Sequence, residues 1–550
     1  MDSTRPDDPP VAAAVEALSP AEAVFERWRR VVGAFAAPLA LLLTYWLTAG
    51  RLSREGQALS AVLAAVAALW VSEALPLPIT ALLGAVLCVV LRVAPAKTVF
   101  ASFADPIVFL FIGSFMLARA MMLHGLDRRI ALAFLSVPWV GGRPARMLAG
   151  VGAVTAVLSM WVSNTATTAM MLPIAVGILA ALHRVRVTRG LADGPMDARA
   201  WPFATAMMLM VAYAASIGGI GTPVGSPPNL IGIGLIRRTV GVEITFFRWM
   251  ALMVPVLVVM AAVLFVLLYL LHPDPRPTAA LAPSPGTPGE GWGEGDSLED
   301  EGKVRPGGLA DYIAAERGRL GGWTRGQTNT LLAFAVAIVL WVLPGVLALP
   351  GFGWAHPAAA WLNARVPESV AALVAAILLF VLPTDAPRGQ FTLTWAEAAK
   401  IDWGTILLFG GGLSLGTLMF DTGVAGALGE AITAGTGASS LWALTALCVG
   451  IGIFLSETTS NTAAANMVIP VAIALAQAAG VSPLPPALGA CLGASFGFML
   501  PVSTPPNAIV YGSGLVPIPR MIRAGVVFDI VGFVIILAGL RVLCPLLGLI

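Results

Sequence analysis

About eleven apolar runs, each long enough to cross a bilayer as a helix, recur along the 550 residues and leave this chain one class of fold. They lie near 31–50, 57–74, 76–94, 106–123, 203–221, 245–271, 327–350, 367–383, 404–420, 484–500 and 524–548. Within hydrocarbon every backbone N–H and C=O must find a partner inside the protein, so spanning segments are helices or closed barrels. Continuous apolar runs of this length read as spanning helices. The expected fold is an all-α polytopic membrane protein. Composition points the same way: 58% of residues are hydrophobic and 11% charged, and the mean hydropathy is +0.87, outside the range of soluble domains.

Two further apolar regions, about 145–182 and 440–479, are interrupted at their centres by one and the same polar triplet: Ser163-Asn164-Thr165 and Ser460-Asn461-Thr462. Polar side chains are costly at membrane depth, and irregular backbone is tolerated there only where protein or a water-filled cavity satisfies it. Each region therefore reads as a re-entrant hairpin, two half-helices meeting at a polar tip. Each triplet is followed by a second break, Pro227-Pro228-Asn229 and Pro505-Pro506-Asn507, inside broken spans at about 203–236 and 484–516. The likeness extends upstream, where Phe109-Leu-Phe-Ile-Gly113 answers Leu407-Leu-Phe-Gly-Gly411. Paired breaks in two halves of one membrane chain are the sequence pointer to a transporter's binding site.

The chain divides accordingly. A polar, acidic N-terminal tail covers 1–30, without the basic start and short apolar core of a cleaved signal peptide. A first membrane half covers 31–272 and a second 326–550. Between them 273–325, with its prolines, glycines and carboxylates, reads as a flexible linker. Charge placement sets the sidedness. Arg143, Arg146, His183, Arg184, Arg186 and Arg189 flank the first hairpin, while no Lys or Arg occurs from 401 to 519 around the second. By the positive-inside rule the first hairpin enters from the cytoplasm and the second from outside, making the halves inverted repeats. Lys303, Arg305, Arg317, Arg319 and Arg325 place the linker inside, in the inner (plasma) membrane topology with the N-terminus cytoplasmic and the C-terminus outside. Arg237 and Arg238 fit poorly, since span counting puts them near the outer face.

A half-helix that begins at a triplet directs its free N–H groups and positive dipole end toward whatever sits there, which favours carboxylate oxygens. Hydroxyls, the Asn amide and freed carbonyls at the same break are oxygen ligands suited to Na⁺. Neither tip contains Lys or Arg, so bound cations are the natural means of balancing a divalent anion. The structural alternative, in which Ser, Thr and Asn only bridge neighbouring helices, accounts poorly for two triplets with two matching breaks. A membrane hydrolase lacks its nucleophile–base pair here, and a channel would need a continuous polar lining. Net charge is only +2, so nucleic acid is not an expected partner.

In these residues, Ser-Asn-Thr followed by a (Ser/Thr)-Pro-Pro-Asn break in each half, the chain resembles the divalent anion/sodium symporter family, carboxylate transporters of the ion transporter superfamily. The likeness runs from about residue 30 onward and includes Ser216-Ile-Gly-Gly219, Gly225-Ser226-Pro227-Pro228-Asn229 and the run from Leu500 to Gly512. The resemblance implies a substrate site of Asn164, Thr165, Asn461, Thr462, Thr504 and Pro505. It implies a first sodium at Ser159, Ser163, Asn164 and Gly225, and a second around Ser456, Thr459, Asn461 and Ser503, largely through backbone oxygens. It further implies a homodimer whose scaffold, spans within about 30–125 and 327–425, holds a domain that moves by an elevator displacement. Na⁺ is the co-transported ion and no organic cofactor is expected. The anion stays open between a C4 dicarboxylate, a tricarboxylate and sulfate, as does the choice between symport and sodium-independent exchange.

Other ionisable residues are weighed singly. Glu457, three positions before the second triplet, is either a proton or sodium-site carboxylate or a structural acceptor for backbone N–H groups, the latter favoured. Glu73 and Asp105 precede prolines at span ends and read as structural caps. His124, His183, His272 and His356 have no ligand spacing, and Cys88, Cys448, Cys491 and Cys544 read as small core residues.

Overall fold

The computed structural model describes residues 20–140, 143–188, 196–197, 201–273, 309–349, 356–436 and 440–550. The tail before residue 20 and the linker stretch 274–308 lie outside them. The first half runs α1 (Pro20–Leu47), α2 (Arg54–Ser72), α3 (Leu77–Val90), α4 (Ala96–Ala101), α5 (Pro106–Leu123), α6 (Leu126–Leu135), α7 (Pro144–Ser159), α8 (Asn164–Thr188), α9 (Pro202–Gly218), α10 (Pro227–Val240) and α11 (Phe246–Leu271). After α12 (Leu309–Leu320) come α13 (Arg325–Leu347), α14 (His356–Arg365), α15 (Glu368–Val381), α16 (Trp395–Ala398), α17 (Trp403–Asp421), α18 (Val424–Thr436), α19 (Leu441–Thr458), α20 (Asn461–Ala478), α21 (Leu484–Gly493), α22 (Pro505–Tyr511) and α23 (Ile518–Leu546). A two-stranded hairpin, β1 (Pro383–Asp385) and β2 (Gln390–Phe391), joins α15 to α16.

Among the described residues ten helices are long and apolar enough to cross a membrane, or eleven if the bent pair α14–α15 is one span. The number agrees with the sequence reading, but the membership differs. The runs 203–221 and 484–500 stop as helices at Gly218 and Gly493, and the chain continues through the breaks as irregular backbone. Conversely α8, α19 and α20, which the sequence reading takes as hairpin arms, are each long enough to span. Hydropathy counts apolar residues, whereas helix length is set by where proline and glycine release the backbone.

Small residues decide how the two halves meet. α5 packs on α15 and α3 on α17. A Cβ on Gly113 would lie 2.7 Å from the backbone of Ala372, and one on Gly411 would lie 2.7 Å from Cβ of Ala81. These are the glycines that close the two matching Phe-containing motifs, so the motif likeness is a pair of equivalent close crossings. Beyond them, the half-helix after each break crosses to the other half: α10 packs on α20 and α21, α22 on α8 and α9.

Packing adds contacts at two ends of the expected division. The expected flexible linker 273–325 contains α12, which docks on α6 and α8 with Ile313 buried and Tyr312 against Gly177. Glu316 on α12 is 8% exposed at its side chain and pairs with Arg128 at 2.5 Å and with Arg319 at 2.7 Å. The tail expected over 1–30 ends in α1, whose Arg29 pairs with Glu73 at 3.0 Å. Arg237 and Arg238, the misfits of the charge count, both reach Asp105, at 2.6 and 2.8 Å. Asp105 also caps α5 through Ile107 N at 3.0 Å and is 2% exposed. Cations paired to a buried carboxylate are partly neutralised, which weakens their weight in a loop-charge rule.

Candidate functional site

Each half builds its site from a helix pair joined at a short polar turn and a broken helix beside it. In the first half α7 ends at Ser159 and α8 starts at Asn164; in the second α19 ends at Thr458 and α20 starts at Asn461. The same bond closes both turns. Ser159 Oγ donates to Asn164 Oδ1 at 2.7 Å, and Ser456 Oγ donates to Asn461 Oδ1 at 2.8 Å. Ser163 and Ser460 hold the helix starts, accepting from Ala166 N at 3.3 Å and Ala463 N at 3.2 Å.

The breaks are held by a second matched device. Asn229 Nδ2 donates to the carbonyls of Gly219 and Thr222, both at 2.8 Å, and Asn507 Nδ2 to those of Gly497 and Leu500, at 3.0 and 2.9 Å. Both asparagines are fully buried. A broken helix leaves carbonyls without partners, and one carboxamide per break recovers two of them. Pro-Pro at the start of α10 and α22 costs no hydrogen bond, since first-turn N–H groups have no helical acceptor.

The breaks and turns converge on one cavity of about 520 Å³. Its wall carries all six residues expected for substrate: Asn164, Thr165, Asn461, Thr462, Thr504 and Pro505. The N-terminal ends of α8, α10 and α20 open onto it, beside the turn Thr504–Pro505–Pro506. α8 and α20 present free N–H groups and a positive dipole there, whereas α10 begins with Pro227-Pro228 and offers only its dipole end.

The residues expected for sodium are placed less uniformly. Ser163, Gly225 and Ser503 reach the cavity wall, while Ser159 and Ser456 are buried behind it. Gly225 sits against carbonyl oxygens: a Cβ there would lie 2.6 Å from Gly219 O and 3.0 Å from both Met160 O and Ser159 O. Thr222 Oγ1 donates to Met160 O from the other side. In the second half Thr459 Oγ1 donates to Trp70 O on α2 at 3.0 Å, which fixes the direction of its hydroxyl proton and leaves its oxygen lone pairs open. Ser503 Oγ donates to Glu457 Oε2 at 2.6 Å. Glu457 Oε1 in turn accepts from Phe498 N and from Met499 N at 2.9 Å, tying the second turn to the second break. Its bonding is that of a structural carboxylate. Among the described residues no group of His, Cys, Asp and Glu could hold a metal ion, and the four cysteines are buried and free.

Motif spacing missed one part of the wall. Arg119 near the end of α5, with Lys400, Asp402 and Thr405 where α16 leads into α17, lines the same cavity. Arg119 Nη2 pairs with Glu397 Oε2 at 2.5 Å and Lys400 Nζ with Glu397 Oε1 at 2.6 Å. Hydrogen bonds from Lys400 and then Arg119 hold the Glu397 carboxyl below the usual carboxylate range. One signal was present: Arg119 is the only charged residue in the apolar run 106–123.

Comparisons with known proteins bear on the chain as a whole. The model of a family described as the sodium:sulfate symporter transmembrane region matches residues 28–550. A sodium-dependent dicarboxylate transporter, SdcS, of Staphylococcus saprophyticus is 31% identical over 518 residues, 94% of this chain and 92% of that protein. An uncharacterized transporter of Haemophilus influenzae is 33% identical over 482 residues, 86% of this chain and 89% of its own length. Among solved structures, the YdaH transporter of Alcanivorax borkumensis shares the fold with a TM-score of 0.50 at 15% identity, over 82% of this chain and 87% of that one.

Proposed function

The chain belongs to the sodium:sulfate symporter family, and from that premise we propose that it is a secondary active transporter that carries a C4 dicarboxylate of the succinate, malate and fumarate class across the inner membrane together with Na⁺. The observation that carries the reading is the convergence of three helix N-terminal ends and both Ser-Asn-Thr triplets on one cavity. A triplet at each side suits a ligand with a carboxylate at each end, and the relative SdcS is named for dicarboxylates. N–H groups at the starts of α8 and α20 bind carboxylate oxygens. The carbonyls gathered at Gly225 and those at the second turn hold the sodium ions, which balance the dianion.

In this reading the two turn-and-break units form one moving body, since α10 packs on α20 and α22 on α8. That body travels in an elevator motion against a scaffold of α2, α3, α5, α13, α15 and α17, with the protein assembled as a homodimer. The wall at Arg119 and Met122 lies near His124, which accepts from Gln327 Nε2 through its carbonyl at 3.0 Å beside the docked α12. With the linker cytoplasmic, the cavity opens inward.

The test is calorimetric binding of succinate to the purified protein at zero and at saturating sodium, with choline as the replacing cation. Linkage requires succinate affinity to rise with sodium and sodium affinity to rise with succinate. Equal succinate affinities in the two conditions reject symport and favour sodium-independent exchange. Sulfate binding without succinate binding favours the oxyanion reading, which the family description also carries.

A further inference from the structure

Neither triplet contains Lys or Arg, yet two cationic side chains stand in the cavity wall. Arg119 comes from α5 and Lys400 from the segment between α16 and α17, both outside the turn-and-break units. They share the carboxylate of Glu397, and with Asp402 on the same wall the two cations and two carboxylates balance, so this wall offers charged donors at short range rather than a net charge. Asp402 lines the same wall, but its Oδ1 accepts from Thr405 N at 3.0 Å and its Oδ2 from Thr405 Oγ1 at 2.5 Å, as the cap of α17. Arg119 keeps a buried Nε–H without a partner. That N–H is shielded from the cavity, so an anion there meets the exposed terminal nitrogens of the guanidinium instead. The side chains of Arg119 and Lys400 are 28% and 57% exposed, so an anion in the cavity mouth can reach both.

We propose that Arg119 and Lys400 form a cationic lip that binds one carboxylate of the dicarboxylate as it enters or leaves the cavity, exchanging with Glu397 for that contact. The inference rests on the dicarboxylate reading and adds to it a substrate contact outside the family motif. The helix ends supply dipoles whose reach is about one helical turn, whereas the two cations supply charge-assisted donors at the mouth. The lip therefore captures the dianion and the tips then hold it. Glu397 keeps the lip from holding it too tightly, because the carboxylate returns to both cations once the substrate has passed. No bond is made or broken.

The experiment is succinate binding at saturating sodium for the wild type, Arg119→Gln, Arg119→Lys, Lys400→Gln and the charge swap Arg119→Glu with Glu397→Arg. Arg119→Gln is expected to weaken succinate about tenfold, and Lys400→Gln about threefold, with the half-saturating sodium concentration unchanged. Arg119→Lys restores most of the loss. The swap rebuilds the ion pair between α5 and α16 but stays weak, since it turns a carboxylate toward the cavity. Raising choline chloride from about 50 to about 300 mM lowers wild-type affinity several-fold and leaves Arg119→Gln nearly flat.

Wild-type affinity in Arg119→Gln, or a swap that regains wild-type affinity, overturns the proposal and leaves a purely structural ion pair. Should Arg119→Gln aggregate, the more exposed Lys400→Gln decides by the same salt series. Absence of succinate binding by the wild type rejects the dicarboxylate reading and this inference with it, whereas normal wild-type binding with indifferent variants rejects the lip alone.

Discussion

Gly225→Ala is the sharpest perturbation the site offers, because it adds one methyl group where the sodium reading needs open space. The new Cβ would lie 2.6 Å from Gly219 O and 3.0 Å from the carbonyls of Met160 and Ser159. All three neighbours are backbone, so none can turn aside as a side chain could. The Gly219 carbonyl is also held by Asn229 Nδ2 at 2.8 Å, which resists its retreat. Overpacking of this kind costs about 1–3 kcal/mol. If that cost falls on the ion-bound state, at about 1.4 kcal/mol per factor of ten, sodium affinity drops roughly fivefold to somewhat over a hundredfold. Uptake of labelled succinate into proteoliposomes as a function of external sodium reads the change, with monodisperse elution as the check on folding. Gly450→Ala is the control, since its Cβ would meet only Phe533 at 3.8 Å. Half-saturation by sodium within twofold of wild type would refute an ion site at these carbonyls. The second half makes the contrast useful: the equivalent position is Ser503, whose hydroxyl is engaged by Glu457.

Asn164→Ala and Asn461→Ala should each abolish uptake while membrane insertion and oligomer size stay normal, because each amide stands at a helix start on the cavity wall and is held by one serine; wild-type-like uptake by either removes the two-turn site. Replacing 280–302 by a short Gly/Ser linker should preserve transport, whereas Ile313→Asp, which places a charge at a 4% exposed position under α12, should lower the melting temperature markedly in detergent. Equal stability of the two variants would mean that α12 is not docked. Single cysteines near Val187 and Gly437, the latter outside the described residues, should label only from the cytoplasm and only from outside. The same sidedness at both would make the halves parallel.

Much of this molecule is legible in one dimension, for a physical reason: the bilayer forces each spanning segment to satisfy its own backbone. Hydropathy alone therefore determines an all-helical membrane chain of about eleven spans. Ser-Asn-Thr and Pro-Pro-Asn mark the breaks because local chemistry, proline without N–H and asparagine with a bridging amide, must be present wherever a helix is interrupted at depth. The six substrate-site expectations share one cavity for that reason.

What the tertiary structure alone decided are contacts between residues far apart in the chain, which no spacing rule encodes. Asn229 and Asn507 looked like half of a binding motif, and their amides prove to be clamps on their own breaks. The Thr459 hydroxyl proton goes to Trp70 O on α2, a contact that no spacing in the second half announces. Arg237 and Arg238 contradicted the charge rule until Asp105 came to lie between them, and a linker judged by its prolines and glycines holds a helix that Arg128 anchors. Arg119 and Lys400 reach the cavity only because α5 and the start of α17 pass its mouth. Local sequence sets where the helix breaks and what polar atoms it frees there, whereas the partners of those atoms depend on which distant segments packing brings within a few ångströms.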